Sequence, residues 1–180
     1  MAGQIADGVF IRVGTHPKNI QHAIEQVHLG ARDAGRRPSN IKIACIFHTI
    51  LEDDAAREKS IARSTAAGYF EHTPSLFDHA GLKWNGPAID KLKDQVWPDF
   101  HHVSDLEAAG ELVSFLGDEV ADAFSLHGDT IEIGAQLRSI IDQCHPIDLI
   151  IPHPMPTPRP GIALTHYSDV FADKIMSNLL

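Results

Sequence analysis

The sequence lacks any apolar run long enough to cross a bilayer. Its apolar segments at residues 41–46 and 147–151 are far shorter than the roughly 20 residues that a membrane-spanning helix needs. The amino terminus also carries no charged-then-apolar leader of the secretory type. These absences argue against a membrane or exported protein, and we expect a cytoplasmic one.

Cysteine and clustered basic charge are also scarce. Cys45 falls in a predicted buried strand and Cys144 at a predicted helix end, with no C-x-x-C pair, so we expect both to be reduced and structural. The chain has 15 basic against 24 acidic residues, a net charge of −9, and its basic clusters are short. This balance disfavours nucleic-acid binding.

No signature of nucleophilic catalysis or nucleotide binding occurs: G-x-S-x-G, the P-loop and G-x-G-x-x-G are all missing. The 12 histidines suggest a metal, but His101 and His102 are adjacent and the others lack ligand spacing such as H-E-x-x-H. We therefore expect no metal site. His127 resembles half of a catalytic pair with Asp129, although a helix cap is sufficient to explain Asp129.

What the sequence does contain is a repeated alternation of strand and helix patterns. At 43% hydrophobic and 22% charged, the 180 residues are enough for one domain with a sizeable core. The alternation predicts an α/β fold with a parallel sheet and right-handed crossovers. The predicted strands are 8–13, 41–47 and 147–151, and the main helices are 17–34, 55–70 and 163–178.

Between the second and third strands the pattern is mixed. Residues 104–107 read as a capping box opening a helix to residue 116, and Asp129 repeats this logic three residues before Glu132. Residues 71–103 are irregular and rich in proline and aromatic side chains, Trp84 and Trp97 among them. They predict either an active-site lid over a small substrate or a satellite hydrophobic cluster.

Residues 2–8 (AGQIADG) form an A-G-x-x-A-D-G segment before the first predicted strand, and residues 34–41 form an A-G-R-x-P-x-x-I junction into the second. These segments resemble those that lead into the sixth and seventh strands of the luciferase-like monooxygenase family, which includes bacterial luciferase, alkanesulfonate monooxygenase and methylenetetrahydromethanopterin reductases. Residues 147–154 resemble that family's eighth strand and its loop. The resemblance implies a partial TIM barrel, residues 1–180 forming one domain that corresponds to its carboxyl-terminal part.

The resemblance also implies a function. Luciferase-like enzymes use reduced flavin or deazaflavin, so FMN or coenzyme F-420 is the expected cofactor, for hydride transfer or monooxygenation of a small organic substrate. Strands one to five of such a barrel have no counterpart here. The resemblance therefore implies that the barrel is completed either by association, as a homo-oligomer or with a complementary half-barrel chain, or by a missing amino-terminal half. The alternative is a non-catalytic half-barrel that has lost the cofactor, and a third possibility is an unrelated small α/β binding domain.

In TIM barrels the site lies at the carboxyl ends of the strands, which selects the candidate residues. Gly14 and Thr15 precede a helix amino terminus, which favours a cofactor phosphate, although a tight turn with a capped helix is an equally simple explanation. His48 follows the second predicted strand and is either a substrate contact or a hydrogen-bonded core histidine.

The third strand leads into a proline-dense loop that contains His153 and Arg159, with Arg159 available as a fixed positive charge for an anionic group. Together with His48, and with Trp84 from the aromatic segment, these residues form the predicted substrate-binding set. No catalytic residue is assigned from the sequence, because in this family the cofactor performs the redox chemistry.

Overall fold

A computed structural model describes residues 1–155 and 164–179 of the chain. Its strands are β1 (Gly8–Ile11), β2 (Lys42–Ile50), β3 (Leu126–His127) and β4 (Leu149–Pro154). Its helices are α1 (Ala2–Ile5), α2 (Pro17–Asp33), α3 (Ala55–His72), α4 (Ser75–Ala80), α5 (Ile89–Lys93), α6 (Leu106–Glu111), α7 (Asp118–Asp122), α8 (Thr130–Gln143) and α9 (Leu164–Val170). Shorter helical turns lie at Pro38–Asn40, Phe171–Ile175 and Met176–Asn178.

Strand β2 is the centre of one parallel sheet and pairs with all three other strands. Strand β4 pairs with residues 44–49 of β2, a stretch that overlaps the pairing of both β1 and β3. Strands β1 and β3 therefore share one edge of β2, and β4 takes the other. The predicted parallel α/β architecture is confirmed.

The two faces of this sheet differ in their cover. Odd-numbered residues of β2, among them Ile43, Cys45 and Phe47, are buried in a core that includes side chains of α2, α8 and the turn Phe171–Ile175. The opposite face carries the row Phe10, Ala44 and Leu149, which are in register across β1, β2 and β4. Phe10 is 72% exposed and Leu149 is 54% exposed. Helices therefore cover one face, and an apolar part of the other is open.

Helices α3 to α7, inserted between β2 and β3, form a second hydrophobic cluster. Its centre is a set of stacked rings in which Phe77 contacts Phe124 at 4.8 Å and Trp84 lies 4.3 Å from Phe70, nearly parallel to it. Residues 71–103, predicted to be irregular, thus contain α4 and α5. The packing of Trp84 favours the satellite-cluster interpretation, and a lid role stays a prediction.

Side-chain caps explain where the longer helices begin. Asp129 accepts hydrogen bonds from the amides of Ile131 and Glu132, and Glu132 accepts from the Asp129 amide, so the predicted capping box of α8 is confirmed. The box predicted at residues 104–107 is wrong. Asp105, not Ser104, caps α6, and Glu107 instead pairs with Arg57 of α3.

The sequence placed some strand ends wrongly. Strand β2 continues to Ile50 and β4 to Pro154, so His48 and His153 lie within strands and not in the loops after them. Strand β3 and helix α1 were not predicted, because each is too short to show a periodic pattern. The last predicted helix, 163–178, is divided into α9 and two shorter turns of different pitch. Among the helices in the described ranges, none is long and apolar enough to span a membrane.

Glycine at position 110 lets α6 pack closely on α3. A Cβ built there would lie 1.8 Å from the Ser60 carbonyl oxygen, whereas a Cβ at Gly134 of α8 would meet nothing within 4 Å. We expect Gly110→Ala to lower the free energy of unfolding by about 1–3 kcal/mol through overpacking. Gly134→Ala, the matched control, should be neutral or stabilising by up to about 1 kcal/mol. Urea denaturation measures both, and equal stabilities would contradict this view of the α3–α6 contact.

The two tryptophans separate a packing role from a surface role. Because Trp84 stacks on Phe70 and its indole N–H donates to the Pro87 carbonyl, Trp84→Ala should cost about 2–4 kcal/mol of stability. Trp97 is 85% exposed, so Trp97→Ala should change stability by less than about 0.5 kcal/mol. Thermal unfolding of the two variants checks this; a stable Trp84→Ala protein would restore the lid interpretation.

Candidate functional site

The carboxyl ends of the parallel strands bring together one arginine and two histidine side chains. His48 of β2 is the register partner of His153 of β4, and their rings lie 5.4 Å apart. From the residue after β1, the Arg12 guanidinium donates a hydrogen bond to His48 Nε2. The structure therefore brings together His48 and His153, two members of the predicted substrate-binding set, and adds Arg12, which the sequence did not single out.

The contact with Arg12 fixes the protonation state of His48. An arginine only donates hydrogen bonds, so His48 Nε2 must accept and the single proton of the neutral ring is on Nδ1. Burial lowers the pKa of His48 to about 2, with His101 and Arg12 adding electrostatic repulsion of the imidazolium. His48 is thus a neutral side chain with a fixed tautomer.

Aromatic rings surround His48 on its buried side. The centroid of the His101 ring lies 4.9 Å from that of His48, and the centroid of the Tyr69 ring on α3 lies 5.5 Å from it. His101 Nε2 also forms a 2.8 Å hydrogen bond with the Thr65 carbonyl oxygen. Gly68 makes this arrangement possible, because a Cβ at that position would lie 2.2 Å from the His101 ring. Helix α3 consequently needs glycine where His101 packs on it.

The imidazoles of this cluster stay neutral while Arg12 carries the charge. Burial lowers the pKa of His101 to about 4, and burial and Arg12 together lower the pKa of His153. Burial raises the pKa of Tyr69, which keeps its hydroxyl protonated. The result is one fixed positive charge among neutral hydrogen-bonding groups, in a chain whose net charge is −9.

Two donors of the cluster are buried without an acceptor among the described residues. They are His48 Nδ1 and the Tyr69 hydroxyl, whose neighbours Arg12 and the Gly14 amide can only donate to its oxygen. A buried donor left unpaired costs about 1–3 kcal/mol, and such atoms in folded proteins usually have a ligand or water as partner. Beside the Arg12 guanidinium, these two donors form a set suited to an electron-rich or anionic group.

The Gly14–Thr15 turn is built differently from a free anion site. Gly14 has a φ of 79°, and the amides of Thr15 and His16 both donate to the Ala123 carbonyl, at 2.9 and 3.0 Å. The Thr15 hydroxyl donates to the Asp122 carbonyl at 2.6 Å. These donors are already paired with the segment that follows α7. Cofactor binding at Gly14 and Thr15 stays a prediction, to be met by other atoms of the turn.

The remaining candidates lie apart from this cluster or cannot be placed. Trp84 belongs to the ring stack of the helical insertion, with Phe70 and Phe115 as its neighbours. Arg159 lies outside the described residues. Within the described part of the chain no group of three or more potential metal ligands is found.

Sequence reasoning missed Arg12, Tyr69 and His101. The sequence could have indicated Arg12. It directly follows β1, and because side chains of a strand alternate between faces, Arg12 lies on the same face as Phe10, two residues before it. Tyr69 and His101 carried no such signal, because α3 and the segment after α5 reach the site only through the tertiary packing of the insertion.

Comparison with known proteins agrees with this architecture. Over 146 residues the chain is 28% identical to 5,10-methylenetetrahydromethanopterin reductase of Methanolobus tindarius, covering 79% of this chain and 41% of that protein. The coenzyme F-420-dependent tetrahydromethanopterin reductase of Methanopyrus kandleri superposes with a TM-score of 0.67 and 16% identity, over 99% of this chain and 47% of that one.

EDTA monooxygenase from Chelativorans sp. BNC1 superposes with a TM-score of 0.52 and 14% identity, over 99% of this chain and 40% of that enzyme. The chain thus spans less than half the length of each of these relatives, and its fold is part of a luciferase-like TIM barrel. Residues 1–143 match the family described as luciferase-like monooxygenase. On this match, the chain belongs to the luciferase-like monooxygenase family.

Proposed function

We propose that this chain is the carboxyl-terminal part of an oxidoreductase barrel and supplies part of its active site. The enzyme would use reduced flavin or deazaflavin on a small organic substrate. The observation that carries the proposal is the Arg12–His48 pair with its unpaired Nδ1 donor. It lies at the carboxyl end of the parallel strands, where TIM-barrel enzymes place their chemistry.

The donor set fits one polar edge of such a cofactor or of its substrate. When bound, reduced FMN or coenzyme F-420 supplies the hydride, or the electrons that activate oxygen. The chain's own residues orient and stabilise: Arg12 offers a fixed positive charge, and His48 Nδ1 and the Tyr69 hydroxyl offer protons in hydrogen bonds. Because the pKa of His48 is lowered to about 2, its ring acts as a donor in a hydrogen bond and not as a general acid.

The choice between the two chemistries follows the relatives. The curated relative is a reductase, and the first structural relative described above is named as dependent on coenzyme F-420, so hydride transfer with a deazaflavin is the narrower proposal. Monooxygenation with FMN is the alternative that the EDTA monooxygenase represents. We expect either activity to be cytoplasmic.

The open sheet face supports a partner for this site. Phe10, Ala44 and Leu149 form an apolar row that a complete barrel buries in its interior, and Ile46 and Ile151 continue it as a half-buried pair. The four parallel strands of the described residues do not close an eight-stranded barrel. We propose that further strands, from a second copy or a complementary half-barrel chain, cover this face and complete the site.

A second candidate function rests on the same face. If the half-barrel has lost its cofactor, the exposed apolar row still drives association, and the chain is a non-catalytic subunit. The two candidates differ in bound chromophore and not in assembly.

Size-exclusion chromatography with light scattering and absorbance detection tests the proposed function. The purified chain, with FMN or coenzyme F-420 added, should elute above its monomer mass of 19.7 kDa and carry the chromophore. Phe10→Asp should return it to a monomer, because it places a charge in the apolar row. Ile131→Asp, at a position on α8 that is 79% exposed, is the matched control and should leave the assembly intact.

A colourless assembly would favour the non-catalytic subunit. A monomer that binds chromophore would show that cofactor binding needs no second copy. A colourless monomer would exclude completion by a second copy and leave a complementary half-barrel chain as the partner.

Removing the charge of Arg12 should weaken cofactor binding by about the free energy of one charge-assisted hydrogen bond. We expect Arg12→Gln to reduce the affinity for the added cofactor about tenfold or more, equivalent to about 1–3 kcal/mol. Arg37→Gln removes the same charge from an exposed position before β2, at the opposite end of the sheet, and should have little effect. Fluorescence titration measures both; equal affinities would remove Arg12 from the site.

A further inference from the structure

His127 of β3 lies between two carboxylates from different helices. Its Nδ1 is 2.6 Å from Glu58 Oε1 on α3, and its Nε2 is 2.8 Å from Asp122 Oδ1 on α7. The Gln136 side chain on α8 accepts from the His127 amide and donates to the His127 carbonyl, at 3.2 and 2.7 Å. The ring is therefore held on both nitrogens and through its backbone. Asp129, for which the sequence offered a helix cap as a sufficient explanation, caps α8 and does not pair with His127.

This geometry has a definite proton requirement. Ionised carboxylates only accept hydrogen bonds, and a neutral imidazole donates from one nitrogen only. Both contacts are hydrogen bonds at once when the ring is an imidazolium. Burial opposes that charge, but the hydrogen bonds to Asp122 and Glu58 outweigh it, and the pKa of His127 is raised from its ordinary value of 6.5.

The groups that face His127 on every side are consistent with a cation. Helix α3 presents Glu58 and α7 presents Asp122, while α8 presents the neutral amide of Gln136. The nearby Glu132 of α8 is occupied as the acceptor of the Asp129 amide, at 2.8 Å. On β2 the register partner is the apolar Ile50.

Asp122 also joins His127 to the Gly14–Thr15 turn. The Asp122 carbonyl accepts from the Thr15 hydroxyl, and the next carbonyl, that of Ala123, accepts from the amides of Thr15 and His16. A Cβ on Gly14 would lie 2.7 Å from that Ala123 oxygen, so the turn packs directly on the segment after α7. A shift of that segment would therefore move the turn. Phe124 then stacks on Tyr69 at 5.0 Å, one contact away from His48.

We propose that protonated His127 is a positioning residue that ties the end of α7 to α3 and thereby fixes the Gly14–Thr15 turn beside the candidate site. Deprotonation removes one of its two donors and loosens the end of α7. Any effect of this turn on catalysis rests on the proposed function. The His127 ion network and its stabilisation of the turn do not.

The sign of the pH effect follows from the raised pKa. A histidine whose pKa is higher in the folded than in the unfolded chain contributes stability that is fully present below the unfolded value. That contribution is lost as pH rises through the folded value. The turn should therefore be held most firmly on the acid side of the His127 pKa and less firmly above it.

Nuclear magnetic resonance of the full chain tests the proposal without a cofactor. Imidazole ¹⁵N spectra should show both ring nitrogens of His127 protonated at about pH 6.5, where an ordinary histidine is half titrated. Amide hydrogen exchange of Thr15 and His16 reports on the turn. Asp122→Asn should lower the protection of these two amides about three- to tenfold relative to wild type, because the lost partner is charged but partly exposed.

Glu119→Gln removes a charge from the same helix and should leave that protection unchanged. A His127 pKa at or below 6.5, or unchanged protection in Asp122→Asn, would overturn the proposal. If Asp122→Asn proves too unstable to study, the pH dependence of Thr15 and His16 protection in the wild-type chain, corrected for intrinsic exchange, supplies the same decision. None of these outcomes depends on flavin or deazaflavin binding, so the proposed function stands or fails separately.

Discussion

The pairing of β2 with β1, β3 and β4 is the constraint on which the rest of the described structure depends. The odd-numbered residues of β2 are covered by helices. Its even-numbered residues lead from Ala44, which lies between the exposed Phe10 and Leu149, to the buried cluster at His48. One strand thus carries the core on one face and both the candidate site and the surface proposed for a partner on the other. The single-residue alternation of a β-strand makes this separation possible.

Charge at the site is controlled by what surrounds Arg12 and not by a set of ionised partners. Three histidines adjoin or neighbour the guanidinium, and the pKa of each is lowered, largely by burial. An imidazolium beside Arg12 would add repulsion in a poorly solvated place, so the rings stay neutral and Arg12 alone supplies the field. His127 is the opposite case, because two carboxylates outweigh the same effect of burial.

The sequence predicts the elements that have a period and misses those that depend on tertiary contacts. Apolar spacing located α2, α3 and the central strands, and the capping logic of Asp129 was confirmed in atomic detail. Strand β3 has two residues and no pattern, yet it brings His127 between α3 and α7. His48 lies near the carboxyl end of β2, as the strand pattern indicated, although β2 runs two residues beyond it. Tyr69 and His101 meet His48 only after the insertion has packed.

The two incomplete features of the structure lie on the same side of the sheet. Phe10 and Leu149 of the apolar row are exposed, and His48 Nδ1 is a buried donor without a partner among the described residues. Both features lie on the same face of the sheet. Covering the row alone would leave the donor unsatisfied, and a ligand on the donor alone would leave the row in water. Strands that close the barrel would bury the row and form the far wall of a cavity at the Arg12–His48 pair. A ligand bound in that cavity would satisfy the donor, so the proposed assembly and the proposed cofactor binding would each strengthen the other.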